Sequence, residues 1–212
     1  MSTRLLLVRH GQSDWNVEER FQGQQDRPLT DLGRQQAAQV ADRLRAEPIA
    51  VIYSSPLQRS LHTAFAIAPH HNLPVTTDAR LMERSWGPFE GLTRAQALAQ
   101  NPDLSFFLDS PSDHWPGAPP PGLESRTQLA ERVRRIHEYI VRTHHYQTVV
   151  VVSHGALLNA WLRFALGLMP EAPVHFKIGN ASITELLLHP NGARTLQTLN
   201  DQNHLIPEPA QR

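Results

Sequence analysis

The stretches LLLVRHG at residues 5–11 and VVVVSHG at residues 149–155 decide the fold of this chain. In each, four consecutive apolar residues are followed closely by a His-Gly pair, and in the second stretch all four are valines. Such runs are typical of strands covered on both faces of a parallel sheet. Ligands bind outside the carboxyl ends of parallel strands. The two stretches therefore predict that His10 and His154 share one sheet edge, in a site for an anionic substrate.

Apolar runs of strand type alternate with helical patterns along the rest of the chain, which predicts α/β architecture. Thr30 is the expected N-cap of the first long helix and Ser55 that of the second, where Pro56 suits the first helical position and Gln58 would complete a capping box. Asn191-Gly192 between two apolar runs predicts a C-terminal hairpin. Further strands are predicted at 50–53, 75–77, 148–152, 183–188 and 194–199, and helices at 31–47, 55–68, 93–100, 125–143 and 156–166.

Length and composition narrow the possible classes of protein. The chain has 212 residues, enough for one sizeable core, so we expect a single domain over 1–212. Lys+Arg and Asp+Glu are both 20, and this zero net charge argues against nucleic acid or an acidic membrane as partners. With no cysteine, disulfides, thiolate metal sites and a cysteine nucleophile are excluded. The N-terminal apolar run is too short for a signal peptide or membrane span, so we expect a cytoplasmic protein.

The segment 86–124 differs in composition from the rest. It is rich in Pro and Gly, including PGAPPPG at residues 116–122, so regular structure is expected there only in the short helix 93–100. We interpret the segment as a cap-like excursion from the core that lies over the site. A solvated surface loop is equally consistent with its composition. The last residues, 207–212, are expected to fray.

Arg9 and His10, at the end of the first strand, are the first candidates for chemistry. A guanidinium recognises phosphate or carboxylate with two parallel hydrogen bonds, and a neutral imidazole is a nucleophile or base. Gly11 permits close approach of a ligand to the backbone. Arg59 is expected in the first turn of a helix, where a cation is unfavourable unless an anion compensates it.

His154 and Glu83 are the remaining candidates. An imidazolium at His154 would stabilise charge on a transferring phosphoryl group, and the backbone N–H groups of Gly155 and Ala156 would also point at an anion. Glu83 is followed by Trp86 and other apolar residues that would favour the protonated carboxyl, as a general acid requires. No metal-ligand spacing or nucleotide-binding loop occurs, so neither a metal nor a cofactor is expected.

These residues together resemble the histidine phosphatase superfamily, branch 1, whose fold is phosphoglycerate-mutase-like. Five blocks follow in family order over nearly the whole chain: LVRHGQSDWN at 7–16, FQG at 21–23 with DRPLTDLG at 26–33, YSSPLQRS at 53–60, LME at 81–83 with FEGLT at 89–93, and VSHG at 152–155. The resemblance implies a three-layer α/β/α sandwich, with a mostly parallel sheet and a C-terminal antiparallel hairpin strand.

The resemblance also implies roles for the candidate residues. His10 would be the nucleophile that becomes a phosphohistidine, and Glu83 would protonate the leaving oxygen. The remaining positions would bind the phosphate of a small phosphorylated metabolite: Arg9, Asn16, Gln22, Gly23, Arg59, His154, Gly155 and Ala156. No metal or cofactor is implied, because the cations supply the positive charge that phosphoryl transfer requires.

The same pocket serves phosphatases and mutases. The cofactor-dependent mutases of the family usually carry a Tyr-Gly segment after the acid and a basic insertion, and this chain has Ser85-Trp86-Gly87-Pro88-Phe89 there instead. Apart from His114, the basic residues between Glu83 and Glu124 are only Arg84 and Arg94. We therefore expect a phosphatase for an ester with an apolar or bulky leaving group. Mutase-type transfer, α-ribazole phosphatase-like activity and a non-catalytic phospholigand-binding protein stay as alternatives, and a homodimer is an open option.

Overall fold

The computed structural model describes residues 2–109, 115 and 117–205. Short 3-10 turns lie at Ala68–His71, Ala79–Leu81 and Gly87–Phe89. The strands and helices follow in the order β1 Thr3–Arg9, α1 Asp14–Val17, α2 Asp31–Leu44, β2 Ile49–Ser54, α3 Gln58–Ile67, β3 Val75–Thr77, α4 Arg94–Gln100, α5 Leu104–Asp109, α6 Arg126–Thr143, β4 Thr148–Ser153, α7 Gly155–Ala165, β5 Ile183–Leu188 and β6 Arg194–Asp201.

One six-stranded sheet organises the molecule, in the order β3-β2-β4-β1-β5-β6. Strands β1 to β4 are parallel, whereas β5 and β6 run antiparallel at one edge. In the register of β1 with β4, Arg9 stands beside Ser153. The residues that follow them, His10 and His154, therefore leave the sheet side by side, as the two matching stretches predict.

Helices cover both faces of the sheet. Leu5 and Leu7 of β1 pack with α6 and α7, while Leu6 and Val8 pack with α2 and α3. This alternation within one strand shows why its run is apolar throughout, since both faces are buried. The three-layer α/β/α sandwich and the antiparallel hairpin are confirmed.

The starts of two long helices follow their sequence signals. The Thr30 side chain accepts a hydrogen bond from the Gly33 N–H at the start of α2, and Ser125 forms a capping box with Gln128 at the start of α6. These helices begin within one residue of the predicted positions. Helix α2 ends at Leu44, three residues earlier than expected.

The predicted start of α3 is wrong. Ser55 is not its N-cap: the cap position is Leu57, whose side chain makes no capping bond, and the helix begins at Gln58. The cap comes from another part of the chain, because the Asp26 carboxylate accepts hydrogen bonds from the Gln58 backbone N–H (2.7 Å) and side-chain amide (3.0 Å). Arg59 nevertheless lies in the first turn, as predicted.

The segment after Glu83 contains more helix than its composition predicts. Helix α5 was not expected, and it forms because Leu104 and Phe107 are buried in a separate apolar cluster with Phe89, Ala97 and Leu123. Burial here outweighs the local Pro and Gly signal. The cap-like role of this segment stays a prediction, and part of the proline-rich stretch, like the expected frayed tail, lies outside the described residues.

Within the described residues, no helix is both long and apolar enough to cross a membrane. A cytoplasmic location stays a prediction.

Candidate active site

The site lies where β1 and β4 end, and close backbone packing positions its first turn. A Cβ atom on Gly11 would stand 2.3 Å from the Gly33 carbonyl oxygen, and one on Gly33 would stand 2.0 Å from that of Gln12. Only glycine at both positions allows the start of α2 to approach the turn after β1. The Gly11 N–H also donates to Thr63 of α3. The turn that carries His10 is thus held from two helices.

The His10 ring is buried and oriented by a single hydrogen bond. Its Nδ1 lies 2.6 Å from the Gly11 carbonyl oxygen. A carbonyl only accepts, so Nδ1 carries the proton and Nε2 keeps its lone pair. Burial and the nearby Arg59 and Arg9 guanidiniums hold the pKa of His10 well below the usual 6.5. The ring is therefore neutral at pH 7 with an unprotonated Nε2, the state that the predicted role of nucleophile requires.

His154 is also neutral in this ligand-free structure, and its role as an imidazolium during phosphoryl transfer stays a prediction. Burial and the charge of Arg59 lower its pKa well below 6.5. Arg59 Nε–H donates to His154 Nδ1 (3.2 Å), so the ring proton sits on Nε2, which faces the Ser60 hydroxyl oxygen at 3.3 Å. The ring centroids of His10 and His154 are 5.1 Å apart. Burying an uncharged ring among guanidiniums costs less free energy than burying a third cation there.

Two guanidiniums supply the positive charge of the site. Arg59 is fully buried, and its Nη groups donate to the carbonyl oxygens of Gln25 (2.7 Å) and Gly23 (2.8 Å). Burial lowers the pKa of Arg59 to about 10, so it stays charged at neutral pH. Arg9 Nη1 donates to the Ile178 carbonyl oxygen (2.6 Å), while its buried Nε has no hydrogen-bond partner among the described residues. An unsatisfied buried guanidinium donor is suited to an incoming anion.

The surroundings of Glu83 differ from those predicted. Its carboxylate is held by backbone N–H groups rather than by apolar side chains: Arg84 (2.8 Å), Ala156 (3.2 Å) and Leu157 (3.1 Å) all donate to it. The last two belong to the first turn of α7, where free N–H groups and the helix dipole favour a carboxylate. The Ala156 N–H, predicted to bind substrate phosphate, thus donates to the Glu83 carboxylate in this structure.

The predicted phosphate-binding residues of the first loop are brought to the same edge. The Asn16 side-chain oxygen accepts from the Ser13 N–H (3.0 Å), and the Gln22 side-chain oxygen accepts from the Ser13 hydroxyl (2.8 Å). Gly23 has φ +51°, and a Cβ there would overlap the Glu90 carboxylate. Gly155 packs beside the Arg9 guanidinium.

Sequence reasoning missed three residues that support this loop. Asn180 Nδ2 donates to the carbonyl oxygen of His10 (3.2 Å) and to Asn16 Oδ1 (3.1 Å). Glu90 Oε1 accepts from the Gln24 N–H (3.0 Å). Asp26 caps α3. Each residue acts across a long sequence separation, and no local pattern marks it.

A cavity of about 320 Å³ lies near Glu83: Arg84, the next residue along the chain, lines it, whereas Glu83 and His10 do not. It is bounded by α5, α6, α7 and the segment after α7, and Ala156, whose N–H binds Glu83, lines it. Arg126 and Arg163 line it as well, so the region holds more basic side chains than the segment after Glu83 alone suggested. Its apolar lining comprises Trp86, Phe107, Leu108, Leu129, Ala130, Ala160, Phe164, Leu168 and Pro170.

Comparison with known proteins agrees with the fold. The profile of the histidine phosphatase superfamily (branch 1) matches residues 5–202. A glucosyl-3-phosphoglycerate phosphatase from Mycolicibacterium vanbaalenii is 36% identical over 194 residues, 88% of this chain and 84% of that protein. Phosphoglycerate mutase-like protein 4 from Arabidopsis thaliana is 35% identical over 205 residues, 95% of this chain and 86% of that protein. Phosphoserine phosphatase from Entamoeba histolytica, solved with 3-phosphoglyceric acid, superposes with a TM-score of 0.84 at 30% identity, covering 96% of this chain and 100% of that one.

The chain belongs to the histidine phosphatase superfamily, branch 1. Within it, the chain is a phosphatase-type member, as the sequence predicts. Within residues 2–109, 115 and 117–205, no group of three His, Cys, Asp or Glu side chains could hold a metal ion.

Proposed function

We propose that this protein hydrolyses small phosphomonoesters through a phosphohistidine formed on His10. The observation that carries the proposal is the orientation of His10: Nδ1–H is bound to the Gly11 carbonyl, and a buried, neutral Nε2 remains beside two guanidiniums. A nitrogen lone pair held in this way needs no base to activate it.

The cations around His10 would bind the phosphoryl group. Arg9 and Arg59 present fixed positive charge from buried positions, where it stabilises the oxygens of the transferring group more strongly than it would in bulk water. His154, neutral without ligand, would donate a hydrogen bond or take up a proton once a dianion enters, because negative charge nearby favours the imidazolium.

Glu83 would move the protons. In the first step, Nε2 of His10 forms a bond to phosphorus, the ester P–O bond breaks, and protonated Glu83 gives its proton to the leaving oxygen. In the second step, the Glu83 carboxylate takes a proton from water, whose oxygen attacks phosphorus and displaces His10. The products are an alcohol and inorganic phosphate.

The cavity beside Glu83 supports a carbon-rich leaving group. Ala156, whose N–H binds the Glu83 carboxylate, lines this cavity, and the rest of its lining is mainly aromatic and aliphatic. Arg84 lies over the Phe107 ring at 4.3 Å from the ring centroid and over the Trp86 ring at 5.0 Å. We expect esters of bulky or aromatic alcohols to be hydrolysed with lower KM than esters of small polar alcohols.

The segment 86–124 would cap this site within a single domain. Glu90 ties it to the first loop through the Gln24 N–H, and Gln24 Nε2 donates to the Glu83 carbonyl oxygen. Phe21 stacks on Trp86 with ring centroids 4.6 Å apart. These contacts join the start of the segment, residues 86–90, to the predicted phosphate-binding loop.

Phosphate release from a panel of phosphomonoesters, with EDTA present, tests the proposal. The wild type should release phosphate, and His10→Ala should lower kcat by about 10⁴-fold or more. His62→Ala is the matched control, because His62 lies exposed on α3. Labelled substrate should leave an acid-labile, alkali-stable phosphoryl group on the wild type.

Two results would contradict the proposal. Unchanged turnover in His10→Ala would show that His10 is not the nucleophile. A rate that depends on added metal would contradict the metal-independent mechanism. Isomerisation of a phosphoglycerate that needs a bisphosphate primer, with no net phosphate release, would favour the mutase alternative.

A further inference from the structure

Arg132 of α6 makes contacts that no phosphate-binding role explains. A guanidinium has five N–H donors, and all five of this one are used. Nη1 donates to the carbonyl oxygens of Arg80 (2.9 Å) and Met82 (2.5 Å), and Nη2 donates to that of Glu83 (3.2 Å). Nε and Nη2 also form a bidentate pair with Glu124, at 2.9 and 2.7 Å.

The carbonyl groups that Arg132 binds belong to the segment that carries the acid. Residues 80, 82 and 83 connect the 3-10 turn after β3 to Glu83, a stretch without regular strand or helix beyond Leu81. Its carbonyls have no ladder partners, so Arg132 takes the place of secondary structure in fixing their direction. Gln24 Nε2 makes a second bond to the Glu83 carbonyl.

Glu124 completes the arrangement from the other side. Its Oε2 accepts from the Ser85 N–H (3.1 Å), and its backbone carbonyl accepts from Arg84 Nε (2.8 Å). The side chains of Arg132 and Glu124 are only 18% and 14% exposed, so the ion pair is shielded from solvent. The backbone is therefore held on both sides of the Glu83 residue.

We infer that Arg132, with Glu124, is a positioning residue that holds Glu83 in line with the leaving oxygen. The inference rests on the proposed role of Glu83 as general acid. A shift of about 1 Å in a catalytic group is enough to cost a large part of its contribution. Arg132 itself touches no reacting atom.

The choice of leaving group distinguishes a positioning role from a merely structural one, because only the loss of a positioned acid should depend on whether the leaving group needs a proton. A nitrophenolate departs without protonation, whereas an alkoxide does not. We would measure kcat/KM, which ends at departure of the leaving group, for 4-nitrophenyl phosphate and for ethyl phosphate. Arg132→Met should lower the value for ethyl phosphate by about 10²-fold, the lower end of a general acid's contribution, and that for 4-nitrophenyl phosphate less than about threefold.

Three further variants complete the experiment. Glu83→Gln should show the same selectivity with a larger loss, which tests the proposed acid independently. Arg134→Met is the matched control: Arg134 is on the same helix and pairs with Glu131 and Glu138 at the surface, so neither rate should change. Arg132→Lys keeps the charge but not the planar fork, and it should show a smaller selective loss, of about tenfold. If Arg132→Met does not fold, the Arg132→Lys variant provides the test instead.

The outcomes separate the two proposals. Equal losses for both esters in the Arg132 variants, or no loss, would overturn the positioning role while leaving a selective Glu83→Gln effect intact. If Glu83→Gln itself lacks selectivity, the role of the acid fails, and the positioning role fails with it.

Discussion

His10 and His154 are both buried beside guanidinium groups, and that placement determines how each ring acts. Burial penalises the charged form, and the neighbouring cations add to the penalty. The chain has twelve histidines, and sequence alone does not separate these two from the others by charge state. Their hydrogen-bond partners do, because a carbonyl or a guanidinium permits only one tautomer.

The ionisation of His10 can be measured directly. In nitrogen-detected imidazole spectra, its ring should remain the neutral Nδ1–H tautomer from pH 8 to pH 6, because the folded-state pKa lies well below 6.5. Comparison with His10→Ala assigns the signal. A titration midpoint at or above 6.5 would contradict the neutral-nucleophile interpretation.

The close approach of Gly11 to Gly33 predicts a stability effect. Gly11→Ala would place Cβ against a backbone carbonyl that cannot rotate away, so we expect the free energy of unfolding to fall by about 1–3 kcal/mol. Gly155→Ala is the control, since its Cβ would meet only ordinary contacts with the flexible end of Arg9. Urea denaturation of both variants distinguishes steric overlap from a general intolerance of substitution.

At the scale of elements, helix starts do most to position the chemistry. Helix α7 begins immediately after His154 and directs two N–H groups at Glu83. Helix α3 carries Arg59 in its first turn, but its cap comes from the loop that precedes α2. The ends of β1 and β4 and the starts of α3 and α7 thus converge on one edge of the sheet.

Removing the cap of α3 should affect both stability and binding. Asp26→Ala is expected to lower the free energy of unfolding by about 1 kcal/mol, the usual contribution of a helix cap. It should also raise KM severalfold, because Arg59 follows the residue that Asp26 holds. Asp26→Asn keeps an oxygen acceptor and should retain most of both properties. Unchanged KM in Asp26→Ala would show that the loop carbonyls alone orient Arg59.

At the scale of the whole molecule, buried histidines make stability depend on pH. His137, in the core between α6 and α7, accepts a hydrogen bond from the Trp161 indole (3.0 Å), and burial lowers its pKa to about 4. Between pH 6.5 and pH 4, the unfolded chain binds a proton at this position that the folded chain does not. The free energy of unfolding therefore falls as pH decreases through this window.

Substitution of His137 should reduce that dependence. The lowered pKa of His137 by itself should reduce the free energy of unfolding by about 2 kcal/mol between pH 7.5 and pH 5. His137→Gln keeps an acceptor for Trp161 but does not titrate. The decrease in its free energy of unfolding between the two pH values should therefore be about 2 kcal/mol smaller than that of the wild type. Urea denaturation at the two pH values gives the difference for each protein. Because His10 and His154 contribute in the same direction in both proteins, some decrease is expected in each. An equal decrease in the free energy of unfolding in both would show that His137 is not responsible.

How far sequence predicts this molecule depends on whether a signal is local. The strand runs, the Thr30 cap and the Asn-Gly hairpin are short patterns whose physics acts within a few residues, and the structure confirms them. The Ser55 capping box failed because Asp26, 32 residues earlier, binds Gln58 instead. Helix α5 was missed because its support is a cluster of distant apolar residues.

The sequence by itself determined the α/β architecture, the buried parallel strands and the histidines that meet at their ends, since hydrophobic periodicity depends only on the chain; the three-layer sandwich followed from the family resemblance. Only the tertiary structure decided the charge of His154 without ligand, the backbone donors around Glu83 and the hydrogen-bond partners of Arg132. Burial, tautomer and hydrogen-bond partners arise from groups that are far apart in the chain, and they exist only once the fold has brought those groups together.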